Sequence, residues 1–142
     1  MKQAIYKGSD IEKLIPQRAP MMMVSHFFGA TETDAETGLK ILADNIFCKN
    51  NHLTEPGLIE HIAQSAAAFA GYNALQSGEK VVLGFIGEIK KLTINSLPAV
   101  GSIIETRIAI VQEVMNVLLM SARSTVDGQT VAECSIKLFM DK

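Results

Sequence analysis

No stretch of Lys and Arg in this chain exceeds a pair, and 13 basic against 15 acidic residues leave a net charge of −2. The cationic patch that grips a phosphate backbone is missing, which argues against nucleic acid as a partner. No apolar run approaches the roughly 18 residues a membrane-spanning helix needs. The first ten residues are polar and mixed in charge, without the apolar centre of a secretory signal. Cysteine is scarce. Cys48 and Cys134 are the only two and have no metal-ligand spacing, so we expect free thiols in a cytoplasmic protein, one in a loop and one in a core strand. No repeat or low-complexity segment interrupts the chain.

What is present is apolar mass. Hydrophobic residues make up 48% of the 142 and charged residues 20%, with a mean hydropathy of +0.22. A chain of this length is expected to form one domain over residues 1–142 and to bury roughly two thirds of its unfolded surface. A small domain this apolar is expected to hide further surface against another subunit, as a homodimer or higher homo-oligomer.

The hydrophobic period changes in an orderly way along the chain. Ser9-Asp10-Ile11-Glu12 has the form of a capping box, followed by Leu14 and Ile15 and stopped by Pro16, and predicts a turn or two of helix. Residues 21–30 form a continuous apolar run around His26 and predict a buried strand. A turn near 31–34 leads to a second strand over 37–43, and 44–53 is polar and irregular, a loop. A long helix follows, capped by Thr54, with Pro56 in its first turn and Ser77-Gly78 as its end. Its middle is small (Ala66, Ala67, Ala68, Ala70, Gly71), so neighbours can approach on most sides and the helix should be wrapped. Four strands are then predicted, over 81–92, 102–112, 117–126 and 130–140, with Asp127-Gly128 as a hairpin turn. In the last, Ala132, Cys134, Ile136, Leu138 and Met140 face one way while Glu133, Ser135 and Lys137 face water. The order is α+β, an antiparallel sheet around one central helix.

Polar residues cluster at the start of that helix. Glu60 and Gln64 are one turn apart and share a face. His61 points about 100° away from Glu60 and is expected to pack or sit at a subunit interface. His52 lies in the preceding loop, from which it could fold toward Glu60. His26, in an apolar strand, is expected to be a satisfied core or interface histidine. These groups have no zinc spacing, so no metal is expected. The run of Met21, Met22 and Met23 is expected to be core, and Lys90 and Lys91 a solvated strand end.

Several segments, in order, resemble the hotdog-fold 3-hydroxyacyl-[acyl-carrier-protein] dehydratases, and the likeness covers nearly the whole chain. Leu14-Ile15-Pro16-Gln17-Arg18-Ala19-Pro20 is similar to the family's Leu-Pro-His-Arg-x-Pro turn, with Gln17 in place of the His. Glu60-x-x-Ala63-Gln64 and the alanines after it are similar to the start of the central helix. Phe85-Ile86-Gly87-Glu88, Pro98-x-x-Gly101 and Val126-Asp127-Gly128 are similar to the strand, turn and hairpin that follow. One element departs. The family's catalytic His stands fourteen residues before the glutamate; here that place is Ile46, and the nearest upstream histidine is His52. The chain therefore resembles a divergent subgroup with a shorter loop, of the kind found beside polyketide and aryl-polyene-type pigment synthesis.

The resemblance implies dehydration of a 3-hydroxyacyl thioester to the trans-2-enoyl thioester, in fatty acid or polyketide-type synthesis. That reaction needs a base for the α-proton, an acid for the hydroxyl and donors for the carbonyl oxygen. Glu60 and His52 are the acid/base candidates. The backbone N–H groups of Gly57 and Leu58, at the helix N-terminus, are the carbonyl donors, with Gln64 beside them in the substrate site. The implied partner is an acyl carrier protein or CoA thioester, and Lys90 and Lys91 could help dock an acidic carrier. No cofactor is implied. Two other readings keep the fold: an acyl-CoA or carrier-protein thioesterase, and a non-catalytic subunit that binds acyl chains or completes the site of another hotdog subunit.

Overall fold

A computed structural model describes residues 3–78 and 84–140. The chain begins with β1 (Tyr6–Lys7) and a 3-10 helix over Gly8–Lys13, then β2 (His26–Ala30) and β3 (Asp34–Lys40). A small hairpin of β4 (Cys48–Lys49) and β5 (His52–Leu53) leads into the long helix α1 (Glu55–Gln76). Four strands follow among the described residues: β6 (Gly84–Ile94), β7 (Ile103–Val114), β8 (Val117–Val126) and β9 (Gln129–Met140). Among the described residues, seven strands form one sheet in the order β1-β2-β3-β7-β8-β9-β6, and every pairing in it is antiparallel.

The inner face of the sheet follows the period of two. Ala35, Thr37 and Leu39 of β3, Ile104, Thr106 and Ile108 of β7, Met120, Ala122 and Ser124 of β8 and Ala132, Cys134 and Ile136 of β9 are all buried. Helix α1 lies against this face through Leu58, Ile62, Ala66 and Phe69. Its small residues permit the wrapping expected of them. At Gly71 a methyl group would collide with the backbone carbonyl of Leu14, so the end of the first helical segment rests directly on α1. Ile11, Leu14 and Ile15 close the core on that side.

Several expected boundaries shift. The first apolar run becomes a strand only from His26, because the backbone before it is committed to the helix: Met23 donates its N–H to a side chain of α1 and accepts from another. The second strand starts at Asp34 and ends at Lys40, three residues early, after a turn closed by Thr31 N–H on Asp34 O at 2.7 Å. The stretch expected as a plain loop holds the β4–β5 hairpin. Its two turn residues, Asn50 and Asn51, have φ of 54° and 65°, the backbone of a type I′ turn, in which Asn is favoured. The third expected strand begins, at Val81, outside the described residues; its described part is β6. Thr54 takes the N-cap position of α1 as expected, but neither expected side-chain cap bond forms. The 3-10 helix is capped at Lys7 without a side-chain bond, and the Thr54 hydroxyl donates to Phe47 O at 2.6 Å, tying down the hairpin.

Strand β6 is an edge of the sheet, paired only with β9 among the described residues. Its ladder shifts register between Ile86 and Glu88 and between Lys90 and Thr93. At the first shift, a side chain on Gly87 would run into the Phe139 ring.

Candidate active site

The hairpin sets where α1 begins. Leu53 is fully buried and its N–H donates to Pro98 O at 2.8 Å, while Thr54 N–H and hydroxyl both reach Phe47 O. Gly57 then sits over this base. A Cβ there would meet Phe47 Cβ at 2.5 Å and Leu53 Cδ1 at 2.6 Å, so close packing of the first turn requires glycine.

Two turns of α1 carry the polar cluster. Gln64 is buried, and each amide atom is used: Oε1 accepts the Met23 N–H at 2.6 Å, and Nε2 donates to Met21 O at 2.8 Å and to Glu60 Oε1 at 3.1 Å. The carboxylate of Glu60, half-buried, is thus oriented by a glutamine that is itself clamped to the backbone of the 21–23 segment.

His61 turns the other way, into the core, and is fully buried. Its Nδ1 lies 2.7 Å from Met23 O and its Nε2 2.7 Å from Thr106 Oγ1. A carbonyl only accepts, so Nδ1 carries the proton. Burial pushes the imidazole down to about 4, outweighing the bond to Met23, which favours the charged form. The ring is therefore neutral and its Nε2 accepts from Thr106. With that hydrogen committed, the Thr106 oxygen accepts from Ser124 Oγ at 2.7 Å. On the neighbouring strand, Thr37 donates to Ser65 Oγ at 2.7 Å and Ser65 donates to His61 O at 2.7 Å. Thr37, Thr106 and Ser124 stand directly opposite one another across β3, β7 and β8, a row of hydroxyls facing the helix. Sequence reasoning missed this row. Its signal was a hydroxyl residue interrupting an apolar alternation in each of three strands.

The structure brings Glu60 and Gln64 together as expected and separates His61 from them. His52 stays apart: it is exposed on the hairpin opposite Lys49, with Nδ1 2.8 Å from Asn50 O, and it makes no hydrogen bond or ion pair with Glu60 within the chain. One expectation is corrected. The N–H of Leu58 donates to Thr54 O at 3.0 Å, as the first bond inside the helix, so it is not a free donor; that of Gly57 precedes the first intrahelical bond. His26 is half-buried, bonded to the Ser25 hydroxyl at 2.8 Å and stacked on Phe28; burial and the charge of Lys7 hold it below its ordinary value. Among the described residues no group of three His, Cys, Asp or Glu side chains could hold a metal ion, and no helix is long and apolar enough to cross a membrane. Both cysteines are free, and burial raises the Cys134 thiol to about 11. A groove of about 300 Å³ between residues 19–25 and 42–46 adjoins the 21–23 segment, lined by Met22, Met23, Leu42 and Ile46. Leu42 and Ile46 are both more than half exposed.

Comparison with known proteins agrees with this architecture. A 3-hydroxyacyl-[acyl-carrier-protein] dehydratase FabZ of Clostridium botulinum is 28% identical over 142 residues, covering 94% of this chain and 95% of the relative. Among solved structures, the dehydratase heterocomplex ApeI:P from Xenorhabdus doucetiae has a chain that matches with a TM-score of 0.86 at 14% identity, over 93% of this chain and 91% of that one. The Escherichia coli PaaI protein of the phenylacetic acid degradation operon matches with a TM-score of 0.66 at 10% identity, over 80% of both chains. These structural likenesses establish the hotdog fold. The family described as ApeP dehydratase matches residues 9–142, and the chain belongs to this ApeP-like dehydratase family.

Proposed function

We propose that the protein removes water from a 3-hydroxyacyl thioester carried by an acyl carrier protein, giving the trans-2-enoyl thioester, and that it does so in an assembly with a second hotdog subunit. The observation that carries this reading is the Glu60 carboxylate held by Gln64, one turn from the N–H of Gly57, which precedes the first intrahelical bond. The N–H, at the positive end of the helix, supports the thioester carbonyl oxygen as negative charge develops there. Loss of the α-proton weakens the bond to the β-hydroxyl, which departs as water once protonated. Glu60 serves one of these transfers. His52, exposed and apart from Glu60 within the chain, serves the other across a subunit boundary.

A second subunit fits the shape of the site. The groove beside the 21–23 segment is apolar and open, its exposed Leu42 and Ile46 facing outward, and a neighbouring subunit would close it over an acyl chain. The open edge of β6 offers a place for that subunit to pair. The dehydratase heterocomplex among the structural relatives supports a partner hotdog chain.

The test follows enoyl-thioester formation by its ultraviolet absorbance, with the protein alone and mixed with a second hotdog subunit. Glu60→Gln should lower kcat by about 10²–10⁴-fold, the usual share of a general acid or base, and His52→Ala should lower it as well. If both variants dehydrate as fast as the parent, the assignment fails.

A further inference from the structure

The 21–23 segment crosses α1 over its second and third turns, and three bonds fix it there. His61 Nδ1–H donates to Met23 O, the Met23 N–H donates to Gln64 Oε1, and Gln64 Nε2 donates to Met21 O. The peptide groups of Met23 are therefore gripped on both sides by side chains of one helix, His61 and Gln64. Only after these bonds are made does Gln64 have one hydrogen left, and it goes to Glu60. The amide cannot flip: exchanging its oxygen and nitrogen would set an NH₂ against the Met23 N–H and an oxygen against both Met21 O and the carboxylate.

We propose that His61 is a positioning residue for the reaction: by pinning the 21–23 segment across the helix it sets the Gln64 amide, and through it the Glu60 carboxylate, at the angle the chemistry requires. The proposal rests on Glu60 being an acid/base group, as argued above. His61 faces the core and touches no substrate. Its far side is anchored by Thr106 and Ser124 on β7 and β8, and Ser65 on its own helix holds its carbonyl. Among the described residues no charged side chain is hydrogen-bonded to it. The imidazole thus ties the crossing segment to the middle of the sheet, and a reacting group benefits from such second-layer support.

The two ring nitrogens have separate tasks, which gives a discriminating pair of variants. An asparagine amide falls near the place of Nδ1 and can donate to Met23 O, while a glutamine amide falls near Nε2 and keeps only the Thr106 contact. Both remove one bond, so a merely structural role predicts similar losses. Positioning predicts that His61→Gln loses about tenfold or more in kcat with little change in KM, short of the roughly 10²-fold that a 1 Å misplacement can cost, and that His61→Asn restores most of it. Hydrogen exchange at the Met23 amide is measured on the same proteins, in the same assembly. Faster exchange in His61→Gln than in His61→Asn, together with the kcat split, supports the proposal. Equal Met23 exchange in the two variants, or equal kcat, overturns it. A parent without dehydratase activity whose Met23 exchange still splits overturns the proposed function and the catalytic half of this proposal, leaving the structural half standing.

Discussion

The burial of His61 has a thermodynamic cost that appears in acid. In the folded chain the imidazole takes a proton only near pH 4, whereas an ordinary histidine does so near 6.5. Between those values the unfolded chain binds a proton that the folded chain refuses. Stability is therefore fully present above about 6.5 and is lost as pH falls toward 4, where the loss levels off. At about 1.4 kcal/mol per pH unit the total is about 3 kcal/mol. Urea unfolding of parent and His61→Asn across this range measures it. The parent should lose stability more steeply than the variant, and equal slopes would contradict a neutral, buried ring.

At the scale of elements, turns decide more than strands do. Asp127 and Gly128, with φ of 51° and 80°, make the hairpin read directly from the sequence. Asn50 and Asn51 make another, which was legible by the same rule but lay in a stretch polar enough to pass for loop. The β7–β8 turn is different, because Met115 holds φ of 54° while 89% exposed, a conformation that favours glycine over a long side chain. Met115→Gly should stabilise the fold by about 0.5–1 kcal/mol, read as a higher melting temperature; a lower one would refute strain at this turn. The long helix was legible to within a residue at both ends because its small-residue core, Pro56 in its first turn and Gly78 past its end leave few alternatives. The 21–23 segment was not, since its apolar side chains read as strand while its backbone bonds go to Gln64 and His61. Side chains on a distant element override local pattern there. For the same reason the pairing of Glu60 with Gln64 was visible from helical spacing alone, and the tie to Met21 and Met23 was not.

Across the whole molecule the pairings are far apart in sequence. β3 meets β7 from Asp34 opposite Ala109 to Lys40 opposite Ile103, with the long helix and β6 between them, and β6 meets β9 at the far edge. The centre of the sheet cannot form until that length of chain has closed. Refolding should therefore take on the order of milliseconds to seconds, as for other folds dominated by distant contacts. Stopped-flow dilution from urea at low protein concentration checks this, and a microsecond phase carrying the full amplitude would refute it. The outer face of the same sheet carries an ordered row of charge, Glu36, Arg107, Arg123 and Glu133 on adjacent strands. Each arginine is paired outward with a glutamate, at 3.0 Å and 2.7 Å. All four are solvated, so the row keeps the two arginines, which stand directly opposite each other, compatible more than it holds the sheet together.

The methionines differ sharply in reach. Met115 and Met21 meet solvent, while Met23 is 1% exposed and its sulfur takes an N–H from Asn45 at 3.4 Å. Peroxide converts an accessible thioether to a sulfoxide and spares an enclosed one. Sulfoxide at Met115 therefore records solvent contact alone, whereas sulfoxide at Met23 records that the segment has lifted from the helix. The protein carries, beside the Glu60 carboxylate, a chemical recorder of whether Gln64 still holds it.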